Sequence, residues 1–265
     1  NFFLIKSINI IKKIINPNDQ KLKYLFLHSS HELSGMILSE IFNDNKYIKT
    51  VCIYHAYIQT IKKNLPQLLD INCQYTFVWS ENQKNLFKHY KLPIYNLGLP
   101  YEIKIPEIIS NKIILVGNGI ERLDKNFFHF NKICSTIDKN LFTVEYRPHP
   151  DHDEELYHCK KYLPSIKINN ENKMDLLRKS RKIYIGFAST LLYEASKHEN
   201  YVIILDTSFL GVYLDFEFDM YFEEKDYSQL ARYLNTIRFK MKKSNKKNVK
   251  LKKRFMHCLE KINKN

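Results

Sequence analysis

Tyr146-Arg147-Pro148-His149-Pro150, read with Gly186-Phe187-Ala188-Ser189-Thr190-Leu191-Leu192-Tyr193-Glu194-Ala195, decides how the rest of the chain is to be folded. The run FTVEY at 142–146 is short, apolar and stopped by two prolines, which marks a strand entering a stiff turn. A second apolar run at 182–185 is followed by a Ser-Thr pair that opens a helix over 190–197. Working outward, KIILV at 112–116 runs into Gly117-Asn118-Gly119, a helix spans 124–137, a strand 201–205 and a helix 226–238. Toward the N-terminus the rhythm recurs: KYLFLH at 23–28, helical spacing over 32–42, TVCIY at 50–54, QYTFVW at 74–79, and Ser80 as N-cap of a helix over 81–90. Short strands alternating with amphipathic helices make parallel sheets with helices on their faces.

The fold class is therefore α/β, with two Rossmann-like lobes. The stretch 101–111, with Pro106 and little periodicity, reads as the linker between a first lobe at 1–100 and a second at 112–239. Asn1, not Met, opens the chain, and the first lobe is expected to be incomplete. Residues 240–265 read as a basic helix or tail. Lys242, Lys243, Lys246, Lys247, Lys250, Lys252, Lys253, Arg254, Lys261 and Lys264 supply much of the net charge of +14 and are opposed there by Glu260 alone. Such a surface either rests on anionic lipid, each cation adding roughly 1 kcal/mol, or is a solvated helix face. No nucleic-acid motif accompanies it, so nucleic acid is not expected as a partner.

With 265 residues, 44% of them hydrophobic, the chain can fill two cores, and 6 Gly and 8 Pro leave no flexible tract. Cys52, Cys73, Cys134, Cys159 and Cys258 are odd in number and far apart, without a C-x-x-C pair, so neither disulfides nor zinc are expected. Residues 1–15 carry Lys6, Lys12 and Lys13, too polar for a span, and lack a signal-cleavage pattern. A cytoplasmic protein, in peripheral contact with the inner membrane face through 240–265, is the expectation.

In parallel sheets ligands collect beyond the carboxyl ends of the strands, and the polar clusters of this chain stand there. Ser189 and Thr190 at a helix start, with its unpaired N–H groups and positive dipole end, form a pocket for phosphate oxygens, unless one hydroxyl is a plain N-cap. Between two prolines His149 is held in a fixed direction, and Arg147 offers a planar fork of donors. Gly117-Asn118-Gly119 allows close backbone approach, but Arg122 stands where a dinucleotide fingerprint needs its third glycine, which excludes an NAD site. The run His149, Asp151, His152, Asp153, Glu154, Glu155 and His158 holds metal-ligand residue types, yet reads as a solvated, acid-rich helix start.

The order of Arg147-Pro148-His149-Pro150, one further β/α unit, then 186–195 resembles the C-terminal lobe of two-lobed, metal-independent glycosyltransferases of the GT-B fold. It is most similar to the bacterial sialyltransferase and capsule-polymer transferase groups, with their His-Pro and Ser/Thr motifs. The likeness covers roughly 112–206, and it implies that 1–100 is the acceptor-side lobe and 112–239 the nucleotide-donor lobe. It implies that His149, Ser189 and Thr190 contact a cytidine nucleotide's phosphate, that Glu194 lies where the donor ribose is held, and that a CMP-linked keto-sugar acid such as sialic acid is moved, with inversion, to a surface glycan or glycolipid. Teichoic-acid type transferases, which use a CDP-polyol, share the pairing but carry His-Gly where this chain has His55-Ala56; a third reading is a catalytically silent GT-B-like protein that binds nucleotide or glycan.

Transfer to a hydroxyl needs a base within hydrogen-bond reach of it. Glu32, in His31-Glu32-Leu33-Ser34-Gly35, is the first candidate and His55 the second; either can instead be structural. Departure of the nucleotide phosphate needs its growing charge met by fixed donors, which Arg147, His149, Ser189, Thr190 and the helix start supply without metal or cofactor.

Overall fold

The computed structural model describes residues 23–27, 33–43, 46–53, 60–61, 73–86, 93–118, 123–150, 153–205, 212–213, 218–222, 227–240 and 251–264. In chain order its elements are β1 (Lys23–Leu27), α1 (Leu33–Phe42), β2 (Ile48–Ile53), β3 (Thr60–Ile61), β4 (Tyr75–Val78), α2 (Glu81–Leu86), β5 (Ile94–Asn96), β6 (Ile109–Val116), α3 (Leu123–Thr136), β7 (Thr143–Arg147), α4 (Asp153–Tyr162), β8 (Lys167–Ile168), α5 (Lys173–Arg178), β9 (Arg181–Gly186), α6 (Thr190–Lys197), β10 (Tyr201–Leu205), β11 (Val212–Tyr213), β12 (Met220–Phe222), α7 (Tyr227–Lys240) and α8 (Leu251–Lys264). Tertiary contacts divide them into two units.

The first unit holds a parallel sheet in the order β1-β2-β4-β5. Thr50, Val51 and Cys52 are all buried, as expected of a strand covered on both faces. Ser80 caps α2: its Oγ accepts the Gln83 N–H at 3.0 Å, and Gln83 Oε1 accepts the Trp79 N–H at 2.7 Å. The basic segment does not stand apart as a tail over its described length. Along α8 the residues Cys258 and Ile262 recur at helical spacing and join Val51, Phe77 and Leu97 in this unit's core, with Phe255 and Leu259 packed against it. Arg254 Nη1 donates to Leu97 O at 3.0 Å and Lys49 Nζ to Ile262 O at 3.0 Å. Gly98, at φ 74°, lies under the Arg254 guanidinium where a Cβ would collide with it. Lys252, Lys253, Lys261 and Lys264 stay exposed on the outer face.

The second unit is built on a six-stranded parallel sheet in the order β12-β10-β9-β6-β7-β8, and the antiparallel pair β3 and β11 belongs to the same unit. Alternate residues of its central strands feed two cores. Ile113, Leu115, Ile183, Ile185 and Ile203 meet Phe127, Phe130 and Ile133 of α3, Cys159 of α4 and Leu230 and Leu234 of α7. Ile114, Val116, Tyr184, Val202 and Ile204 meet Leu176 and Leu177 of α5 and Leu192 and Ala195 of α6. Each such Val, Leu, Ile or Phe side chain contributes about 1.5–3 kcal/mol by leaving water, and the sheet is covered on both faces.

The linker expected at 101–111 differs from the observed chain. β6 begins at Ile109, inside that stretch, and the carbonyls before it at every second residue are bonded to this unit. Glu102 O accepts from Arg178 Nη2, Lys104 O from His198 Nδ1 at 2.6 Å, Pro106 O from Arg181 Nε at 3.0 Å and Ile108 O from Arg181 N at 2.7 Å. Spacing of two is the signature of an extended strap laid along its neighbours, and no side-chain pattern announces it. The edge strands β8 and β12, of two and three residues, are too short to show a periodicity in the sequence.

Candidate functional site

From β6 the chain steps outward to β7 and β8, then returns to β9 and steps the other way to β10 and β12. The winding reverses between β6 and β9, and ligands of open parallel sheets bind in the crevice at such a reversal, beyond the carboxyl ends. Val116, the last residue of β6, is the register partner of both Arg147 and Gly186. Gly117-Asn118, Pro148-His149-Pro150 and Phe187-Ala188-Ser189 therefore leave from three adjacent strand ends. The residues singled out in sequence at 117–118, 147–149 and 189–190 converge on one edge of one sheet.

Gly186 is needed for that convergence. A Cβ there would stand 3.1 Å from Val116 O and 3.2 Å from Leu192 Cδ1, so the glycine lets α6 close on the end of β6. Ser189 is extended (φ −155°, ψ 141°), and its hydroxyl accepts the Leu191 N–H at 3.3 Å. The plain N-cap alternative thus describes Ser189 Oγ. Thr190, half-buried, is the first residue of the helix, where N–H groups without intrahelical partners and the positive dipole end lie.

At the end of β7, Arg147 Nη1 donates to Asn169 O at 3.1 Å and to Glu171 O at 2.6 Å, which fixes the plane of the guanidinium. The loop beyond is fixed from below. Glu155, which reads in sequence as part of a solvated acidic run, is fully buried, and its Oε2 accepts the Tyr146 hydroxyl at 2.8 Å and the His149 N–H at 2.6 Å. Gly117, whose N–H donates to Arg147 O at 2.8 Å, lies against the same carboxylate: a Cβ would be 2.1 Å from Glu155 Oε2. The missed signal is the row Glu155, Cys159, Leu163, every fourth residue along the buried face of α4 and just past its end.

Asn118 is buried, and its Oδ1 accepts from Asn126 Nδ2 of α3 at 3.3 Å. One turn along α3, His129 Nδ1 meets the Tyr227 hydroxyl at 2.5 Å and the ring lies edge-on to Phe187. On the opposite face of the sheet Glu194 is 1% exposed and pairs with Lys173 Nζ at 2.9 Å. Tyr101 belongs to the same group: Lys173 and Arg178 lie over its ring, and burial, with the Glu194 charge adding to it, pushes its phenol far up from the ordinary value. A ligand hydroxyl reaching Glu194 would share it with Lys173.

Glu32, His55 and Gly119 lie outside the described residues. Among the described residues no three His, Cys, Asp or Glu side chains gather where a metal could bind. Of the acid- and His-rich run, Glu155 turns inward, while His158 pairs with Asp124 at 3.1 Å. Among the described residues, too, no helix is long and apolar enough to cross a membrane.

No family model matches the chain, and no curated protein matches it. Solved structures do. A pneumococcal O-GlcNAc transferase, GtfA, in complex with UDP and GlcNAc aligns with a TM-score of 0.50 at 11% identity, covering 86% of this chain and 51% of its own. The GtfA/B complex aligns at 0.47 and 10%, covering 95% and 56%. The chain thus spans about half the length of the structures it matches. At 11% identity the GtfA likeness is one of fold: the chain has the α/β fold of a known glycosyltransferase.

Proposed function

We propose that this chain is part of a glycosyltransferase and binds the nucleotide of an activated sugar at the carboxyl edge of its six-stranded sheet. The observation that carries the reading is the convergence of Arg147, His149 and the Ser189-Thr190 helix start on the strand ends flanking the β6–β9 reversal. Fixed cationic and N–H donors there suit a diphosphate or monophosphate, and they can meet the charge that develops as the nucleotide departs without reorganising. The fold shared with a UDP-binding transferase supports a nucleotide-sugar donor.

The rest extends the resemblance. The acceptor is a bacterial surface glycan or glycolipid, attacked with inversion after Glu32, or failing it His55, removes its proton. A CMP-linked keto-sugar acid remains the first donor, with a CDP-polyol as the alternative, and Glu194 holds the ribose. Peripheral attachment to anionic membrane is through the exposed lysines of the C-terminal helix.

Thermal unfolding with UDP, CDP and CMP tests the site. A ligand at about a hundred times its Kd adds ~2.7 kcal/mol, a shift of several degrees. Protection by one of them is expected, and its identity selects the donor class. Arg147→Ala and His149→Ala should each cut that protection severely. Indifference of the wild type to all three sinks the reading.

A further inference from the structure

We infer that Glu155 is a positioning residue of this site, acting through His149: its buried carboxylate takes up the only backbone donor of the 148–150 loop, so that the loop meets a nucleotide phosphate with side chains alone. The inference rests on the nucleotide-site reading above and deepens it.

Proline has no N–H, so within Pro148-His149-Pro150 the His149 amide is the single backbone donor. That N–H points to Glu155 Oε2 at 2.6 Å. The loop therefore cannot cradle phosphate oxygens by its backbone, as a glycine-rich loop does. What it offers is the His149 imidazole, with Arg147 just before it held by two carbonyls. Glu155 also joins the ends of two strands. The same oxygen accepts the hydroxyl of Tyr146, a core residue of β7, and fills the space that Gly117 leaves after β6. Cys159, one turn along the buried face of α4, and Leu163, just past its end, anchor the helix in the larger core.

A buried carboxylate is a poor choice for stability alone. Removing it from water is costly, and well-packed apolar groups often serve as well or better. Beneath a site for anions its charge also opposes the ligand. Both costs are intelligible if the carboxylate is there to set the geometry of the histidine loop.

The test is a cycle of variants in the full chain, with Kd for UDP, CDP and CMP measured by calorimetry well below each unfolding midpoint. Glu155→Gln keeps the size but puts an NH2 in place of one oxygen, and should raise Kd about tenfold, the range of a charge-assisted hydrogen bond. Glu155→Asp withdraws the carboxylate by one methylene and should act in the same direction; it serves should the Gln variant not fold. Tyr146→Phe removes the hydrogen bond on the core side only, and should lower the unfolding temperature while leaving Kd within about twofold. If Glu155 acts through His149, then Glu155→Gln in a His149→Ala background adds no further loss. Binding by wild type that both Glu155 variants retain within twofold, or losses that simply multiply in the double variant, overturns this inference and leaves the nucleotide site standing. A wild type that binds none of the three nucleotides overturns both.

Discussion

Lys173 is half exposed, yet Glu194, its partner at 2.9 Å, is almost wholly buried, so the two ends of this pair are unequal in what they need from each other. The lysine can turn to water; the carboxylate cannot. Lys173→Met should therefore destabilise the second unit more than a surface pair would, by about 1–3 kcal/mol, below the ~3–5 of a fully buried pair because solvent screens the exposed partner. Urea unfolding measures it, and a change under 0.5 kcal/mol would show that Glu194 draws its support elsewhere. At this scale the sequence is legible where turn chemistry speaks. Arg147-Pro148-His149-Pro150 and the Ser189 cap announce themselves by proline and hydroxyl placement. Glu155 does not, because a single inward acid is camouflaged among Asp151, Asp153 and Glu154, and composition outweighs spacing until Cys159 and Leu163 are read in the same row. The residues proposed for proton removal, Glu32 and His55, stand beyond what the structure describes.

Among the elements, α6 shows how a helix end can depend on pH. His198 closes it, with its own N–H turned back to Glu194 O and Ala195 O, and Glu199 follows at φ 55° in the left-handed conformation that ends helices. The ring is fully buried, stacked on Tyr101, and donates from Nδ1 to Lys104 O, so this one histidine ties the helix end to the strap before β6. Burial holds its pKa below the ordinary histidine value, and the nearby Arg178 charge acts in the same sense while the Lys104 carbonyl opposes it. The unfolded chain therefore takes up a proton near pH 6.5 that the folded chain refuses, and stability falls as pH drops below that point until the lower, folded pKa is passed. His198→Gln should remove this slope from denaturation midpoints followed downward from about pH 6.5, while lowering stability above about pH 7. A slope unchanged by the substitution would assign the proton to another group. Long strands and helices were readable because a period needs several residues to show. The strap at 102–108 was not, since its order is carried by main-chain carbonyls and leaves no mark on side chains.

For the molecule as a whole, charge and topology matter more than any one contact. The apolar face of α8 is spent on the first sheet, through Cys258 and Ile262, so the helix cannot also insert that face into a bilayer. Any membrane association through it should be electrostatic: binding to vesicles containing anionic lipid at low ionic strength, and release as salt shortens the screening length from about 10 Å at 0.1 M toward 3 Å at 1 M. Charge reversal of Lys252, Lys253, Lys261 and Lys264 should abolish sedimentation with such vesicles and leave the fold intact. Binding that survives 1 M salt would point to another surface. The α/β class followed from alternation alone, whereas the membership of this helix did not, because a basic, amphipathic segment at 251–264 carries no label saying which sheet it will cover. Its placement also bears on the order in which the protein can be made. The second sheet, β6 to β12, is contiguous and finished once residue 222 has left the ribosome. The first sheet begins at Lys23 but lacks Cys258 and Ile262 until more than two hundred further residues are synthesised. The part translated first is thus the part completed last, and in the interval its exposed apolar face is what a chaperone would find.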